Sequence, residues 1–276
     1  MTHLRMNNYG TVPEVTFLTP INNKQLHYRR LGQARESHSI VLVHGLGGSM
    51  EMFLPLIQTL KLEQKYCIHL FDLEGHGLSP TSPLSKLSIE SFAEDLYGVI
   101  EHVNISSSVT IIAHSMGCLI AAQCASSHPS SIRKLIFIDI PSASLDLIQR
   151  KDLMVRADTA RNHGMLPIAN EVAHYETSLQ TKTSNPLAVA AVRMSLLSQD
   201  PEGYAKACTA LADAQPPNME NINMEIALIV GGEDLQYPDW IPIMDKTSIH
   251  FSGSAGCWHV LEELQGVATA MGKFLD

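Results

Sequence analysis

Apolar residues along this 276-residue chain fall into short, β-branched runs separated by longer stretches of mixed polarity. The runs Ile40–Val43, Cys67–Phe71, Val109–Ala113, Leu135–Ile138 and Ile226–Val230 read as buried strands, with a last one near Ile249–Phe251. Val15 to Thr19 and Gln25 to Leu31 predict a hairpin that turns at Asn22-Asn23. Helical spacing of apolar positions predicts helices from about Glu51 to Leu62, Ile89 to His102, Cys118 to Ala125 and Glu263 to Leu275. Strands that alternate with helices imply a mostly parallel sheet with helices on both faces. Functional groups in such sheets lie beyond the carboxyl ends of the strands.

The alternation breaks between Asp139 and Pro217. No strand run occurs there, but helical stretches do, at Ala143–Asp158, Pro167–Leu179, Pro186–Leu197 and Gly203–Asp213, with Gly, Pro and Asn at the joints. Residues 141–217 are therefore expected to form a helical cap, inserted in a core made of residues 1–140 and 218–276. Leu166, Val189, Met194 and Leu197 either line a pocket beneath that cap or pack it together.

Composition narrows the class. Hydrophobic residues are 45 % of the chain and charged residues 17 %, enough for one large core. A formal charge of −9, without a basic arm or arginine stripe, argues against a nucleic-acid partner. The five cysteines at 67, 118, 124, 208 and 257 follow no metal or disulfide spacing, so a reduced, cytoplasmic setting is expected. No apolar run suits a bilayer span, and Met1 to Gly10 lacks the core of a secretion signal. A small-molecule substrate is the expected partner, and a homo-oligomer is compatible with all of this.

The chemistry concentrates at four places. Ala113-His114-Ser115-Met116-Gly117 stands where a buried strand meets a helix, and small residues flanking a serine at such a corner expose its hydroxyl as a nucleophile. The plainer alternative makes Ser115 a helix cap. His44-Gly45-Leu46-Gly47-Gly48-Ser49 follows another buried strand. It lacks the lysine and spacing of a phosphate loop. It suits an oxyanion hole, in which the Leu46 and Met116 amides stabilise a developing negative charge, while His44 props the loop. Gly231-Gly232-Glu233-Asp234 ends a strand in a tight turn. Asp234 is the leading acid to orient a base, Glu233 its neighbour and Asp139 an alternate. In the final loop, His259 is the one histidine available as base to a serine hydroxyl.

Together, His44 to Ser49, Asp72-Leu73-Glu74-Gly75-His76-Gly77-Leu78-Ser79 and Ala113 to Gly117 resemble the α/β-hydrolase superfamily over nearly the whole chain. Within it, Leu196-Leu197-Ser198-Gln199-Asp200-Pro201-Glu202-Gly203-Tyr204 is similar to the 3-oxoadipate enol-lactonase group and its fungal relatives. The resemblance implies a Ser-His-Asp triad, hydrolysis of a small ester or lactone, and no cofactor. One departure matters. Relatives read Gly-His-Trp in the final loop, with a glutamate five residues past the histidine. Here Gly256, Trp258 and Glu262 keep that register, so the usual histidine position is Cys257. Either the loop is re-set so that His259 reaches Ser115, or Cys257 removes the ordinary base, or the thiol takes part in a different chemistry. A thiol has no second nitrogen to engage an acid, which makes it a poor relay.

Two functions follow. The first is a serine-dependent ester or lactone hydrolase, with Arg193, Arg161 and Arg156 of the cap as candidates to hold a substrate carboxylate. The second is a catalytically altered member of the fold that binds a small molecule or steers its rearrangement.

Overall fold

The computed structural model describes residues 18–32, 39–103, 108–231, 240–241, 247–251 and 253–275. Eight strands form one sheet: β1 (Leu18–Ile21), β2 (Lys24–Leu31), β3 (Ser39–Val43), β4 (Cys67–Phe71), β5 (Val109–His114), β6 (Ile132–Ile138), β7 (Glu225–Val230) and β8 (Thr247–Phe251). Their spatial order is β1-β2-β4-β3-β5-β6-β7-β8. The β1–β2 and β2–β4 pairs are antiparallel, and every pair from β4 to β8 is parallel. Parallel strands must be covered on both faces, which is why β3, β4 and β5 are buried along their whole length and are mostly apolar, with Ser39, His69, Thr110 and His114 as their buried polar positions. Asn22 and Asn23 make the β1–β2 turn with φ of 49° and 62°, a left-handed pair that asparagine tolerates.

The helices are α1 (Leu54–Leu60), α2 (Ile89–His102), α3 (Met116–Ser127), α4 (Leu147–His163), α5 (Met165–Tyr175), α6 (Leu179–Ser184), α7 (Pro186–Leu197), α8 (Pro201–Ala212), α9 (His259–Glu262) and α10 (Leu264–Leu275). α1 packs with α10, and α2 with α3, over the sheet. α4 to α8 fill the interval between β6 and β7, where α4 packs on α8 and α5 on α7.

β4, α2 and α7 occupy the ranges expected from periodicity. Others shift for identifiable reasons. α4 starts at Leu147 rather than Ala143 because the Asp146 side chain accepts from the Ile148 and Gln149 amides and caps the helix. The single helix expected over Pro167–Leu179 ends at Tyr175, and a separate α6 starts beyond Ser178, whose hydroxyl accepts from the Thr181 amide. The segment expected as one helix from Glu51 opens as a 3-10 turn, Met50–Phe53, before α1. Val15 to Phe17 of the expected hairpin lie outside the described residues. Among the described residues no helix is long and apolar enough to cross a membrane. All five cysteines are free.

Candidate active site

Ser115 sits between β5 and α3 with φ 51° and ψ −125°, outside the ordinary wells of a non-glycine residue. Such a conformation costs on the order of 1–3 kcal/mol and persists only where the surroundings enforce it. Here they do. The Ser115 amide donates to the Ile138 carbonyl at the end of β6, and the Ser115 carbonyl accepts from Cys118 at 2.7 Å. Two glycines let the chain close around the corner. A Cβ at Gly45 would fall 2.8 Å from the Ser115 Cβ, and one at Gly117 would fall 2.5 Å from the Val43 carbonyl oxygen.

The loop after β3 is braced from several directions. His44 donates from Nδ1 to the Gly45 carbonyl (2.8 Å) and accepts the Leu73 amide at Nε2 (3.0 Å), so the neutral ring is fully used in holding backbone. Burial pushes its pKa down, against the pull of Asp72. Asp72 accepts from the Met50 and Leu78 amides and pairs with His27 at 2.7 Å, which joins this loop to the turn after β4. Gln199, between α7 and α8, donates to the Gly47 and Gly48 carbonyls and accepts from the Gly77 amide, and the Ser195 hydroxyl also donates to Gly47. Those contacts fix the peptides next to Leu46. Among the described residues, neither the Leu46 nor the Met116 amide donates a hydrogen bond.

Ser115 borders a cavity of about 330 Å³. Leu46, His114, Ser115 and Asp139 line it from the strand ends, and Cys257 and Trp258 from the final loop. The remaining wall includes Leu153, Arg156, Val172, Glu176, Leu196 and Tyr204 of the helical segment. His259 does not line it. Its ring is buried at the start of α9, packed so closely on the Gly231 backbone that a Cβ there would collide with it, and its Nδ1 lies 3.7 Å from Asp139 Oδ1. His114 approaches the same carboxylate from the other side, Nε2 to Oδ2 at 3.8 Å. Both distances exceed a hydrogen bond. The two ring nitrogens of His259 are buried with no partner among the described residues, whereas the His114 ring lies against the Cys257 backbone. Burial takes the His114 pKa down to about 4, with Asp139 opposing, so this ring is neutral near pH 7. Asp139, φ 55°, is anchored by its amide to the Ile229 carbonyl.

Cys257 lines the cavity and is exposed, and its amide donates to the Glu176 carbonyl at 2.7 Å. Partial desolvation at the wall, then Asp139, Glu176 and Glu262, push the thiol pKa up, which keeps it protonated. The loop around it is held by one carboxylate. Glu262 accepts from Gly256 (3.0 Å) and Trp258 (3.1 Å) and also from Ser178, beyond α5 (2.8 Å).

The structure thus brings Ser115, Leu46, Cys257 and Arg156 to one cavity, with Met116 directly behind the serine, and leaves His259 behind its wall. Arg161 and Arg193 stand apart from it. Arg161 is bound to both Glu202 oxygens at 2.8 and 3.3 Å, and Arg193 donates to Asn170. Asp234 and Glu233 lie outside the described residues. Gln199 and Glu176 were not singled out by sequence reasoning. Gln199 lay within the stretch that carries the subfamily resemblance, whereas Glu176 sits in an ordinary polar helix end and gives no signal of its own.

The α/β hydrolase fold family matches residues 38–205, more than half of the sequence. The chain belongs to the α/β hydrolase fold family. This α/β hydrolase is 26 % identical over 210 residues to 3-oxoadipate enol-lactonase 2 of Acinetobacter baylyi, covering 76 % of each chain. Its fold superposes on the enol-lactonase from Burkholderia xenovorans with a TM-score of 0.83 at 23 % identity, covering 93 % of this chain and 98 % of the other. A thermophilic esterase from Thermogutta terrifontis gives 0.82 at 22 % identity, covering 95 % and 97 %. At those identities the two structures speak for the fold of this α/β hydrolase, with its eight strands in the order described above.

Proposed function

We propose that the protein hydrolyses small, uncomplicated esters or lactones through Ser115, beneath a cap formed by residues 141–217, in a reducing, cytoplasmic setting. The observation that carries the reading is the enforced backbone of Ser115 at the wall of a cavity of about 330 Å³, beside the Leu46 and Met116 amides, which donate to no group among the described residues. In this reading the Ser115 oxygen attacks the substrate carbonyl carbon, and its proton passes to the base. The Leu46 and Met116 amides hold the oxyanion. The carbon–oxygen bond to the leaving group then breaks, the leaving group takes up the proton, and water releases the acid from the acyl-serine. A cavity of about 330 Å³ lies at the lower end of the range for small-molecule sites, which suits a small substrate.

The weak point of the machine is its base. Position 257 carries a thiol held protonated, and the imidazole of His259 lies behind the wall beside Asp139. Turnover is therefore slow, and deacylation suffers with acylation. His259, oriented by Asp139 or Asp234, remains the base in this reading and reaches the serine only after a shift of the final loop.

A second reading has its own support. Cys257 lines the cavity and His259 does not, as expected of a protein that keeps the pocket but binds or steers a small molecule without hydrolysing it. Labelling with a small serine-directed phosphonate separates the two. One equivalent of label on Ser115, absent in Ser115→Ala, supports the hydrolase. No label with either a phosphonate or small activated esters supports the binding protein.

A further inference from the structure

The charged groups of the cavity wall are unevenly matched. Among the described residues that line it, Arg156 is the one lysine or arginine. Its donors are already engaged: Nη1 meets Glu176 Oε1 at 2.5 Å, and Nε and Nη2 each meet Glu171 Oε1 at 3.2 Å. Burial works against the charge of this guanidinium, but Glu176, with Tyr204 and Glu171, more than offsets it, and its pKa is raised. The wall also carries Asp139, 22 % exposed, whose ion-pair neighbours among the described residues are the imidazoles of His114 and His259 and no lysine or arginine. His114 is neutral near pH 7. The lining thus holds two carboxylates against one guanidinium.

We propose that Glu176 is a specificity determinant: by occupying Arg156 on the cavity wall it leaves the site no free cation, so that uncharged acyl groups are accepted and acyl groups bearing a carboxylate are rejected. An incoming carboxylate has two options. It can displace Glu176 from Arg156, stranding a half-buried carboxylate without its partner, or it can leave that pair intact and face Asp139 unscreened. Both are unfavourable for charges that are only partly exposed to water, as the side chains of Arg156, Glu176 and Asp139 are. Glu176 is also held in place from its other end, because its carbonyl accepts the Cys257 amide, and a Cβ at Gly256 would collide with that same carbonyl. The Glu176 backbone is therefore fixed against the final loop, at the edge of the cavity. This inference rests on Ser115 being the nucleophile only for its kinetic arm.

The kinetic arm compares p-nitrophenyl butyrate with mono-p-nitrophenyl succinate, which differ by a terminal methyl against a carboxylate, at fixed ionic strength. Wild type is expected to favour the butyryl ester by at least tenfold in kcat/KM. Glu176→Gln keeps the shape and an acceptor for Arg156 but removes the charge, and is expected to move the ratio at least tenfold toward the succinyl ester. Asp139→Asn, which removes the other lining charge, moves the ratio the same way and serves if Glu176→Gln does not fold. The binding arm uses Ser115→Ala, with and without Glu176→Gln, and titrates butyramide and succinamate against the fluorescence of Trp258. Wild-type cavity charge predicts weaker binding of succinamate, with the difference narrowed by Glu176→Gln. Equal handling of the two ligands in the binding arm, or a ratio unmoved by both substitutions, overturns the proposal. A charge preference in binding without any ester turnover leaves it standing and overturns the hydrolase reading instead.

Discussion

Replacing Ser115 by glycine is expected to make the protein more stable than replacing it by alanine, although neither variant retains a nucleophile. Alanine at this position keeps the Cβ and hence the unfavourable φ of 51° with ψ of −125°. Glycine releases the strain, worth on the order of 1–3 kcal/mol. Against this, glycine is more flexible when unfolded, which costs about 0.5–1 kcal/mol relative to alanine. The difference favours Ser115→Gly by up to about 2.5 kcal/mol, or up to about 5 °C in melting temperature for a chain of this size. Because both variants lack the hydroxyl, catalysis does not enter the comparison. Urea titration of the two proteins side by side, with fitted slopes required to agree, reads the difference directly. Were Ser115→Gly less stable than Ser115→Ala by about 0.5 kcal/mol or more, the full glycine cost with no strain to offset it, the backbone at 115 would be relaxed, and the case for an enforced nucleophile corner would fall with it.

Further outcomes follow from the same geometry. Cys257→His should raise turnover on an activated ester by about a hundredfold or more, the scale of a positioned proton-transfer group; a gain under threefold would mean that position 257 does not face the Ser115 oxygen. Glu262→Ala removes the acceptor shared by the Ser178, Gly256 and Trp258 amides and should cost about 2–4 kcal/mol in denaturant unfolding. A loss below 0.5 kcal/mol would show water replacing it freely. Stability should also fall from pH 7 to pH 5. Burial holds the pKa of His69 and His114 down to about 4 and that of His76 to about 3. These rings stay neutral when folded and protonate once unfolded below about pH 6.5, so their contribution is complete above that pH and is lost as pH drops toward their folded values. The slope approaches about 4 kcal/mol per pH unit near pH 5, and a flat profile in urea unfolding between pH 7 and pH 5 would refute it.

The parallel sheet was legible because fully buried strands are predominantly apolar, and Cys67–Phe71 and Val109–His114 are, apart from His69, Thr110 and His114. The corner at Ser115 was legible for a related reason: a buried strand, a small residue on either side and a helix make a local signature. What stayed hidden depends on residues far apart in the chain. Nothing near Glu176 announces Arg156, twenty positions earlier in another helix, and nothing near Ser178 announces Glu262, 84 positions on. His259 illustrates the same point from the other side. It was the one histidine the final loop offers, two positions past the usual base position, yet its ring direction is set by the α9 backbone and by Gly231 against which it packs, neither of which a linear pattern encodes.

The carboxylate of Glu262 has a consequence for motion. By accepting from Ser178 on one side and from Gly256 and Trp258 on the other, it welds the roof of the cavity to the segment carrying position 257. The Cys257 amide on the Glu176 carbonyl is a second weld between the same two parts. The roof therefore cannot hinge upward as a plate while the floor stays put. Roof and final loop open as one cooperative unit, and the Ser178, Cys257 and Trp258 amides should share one exchange rate in deuterium. Small ligands must then pass through gaps made by side-chain rotation, on a timescale far shorter than that of lifting the roof.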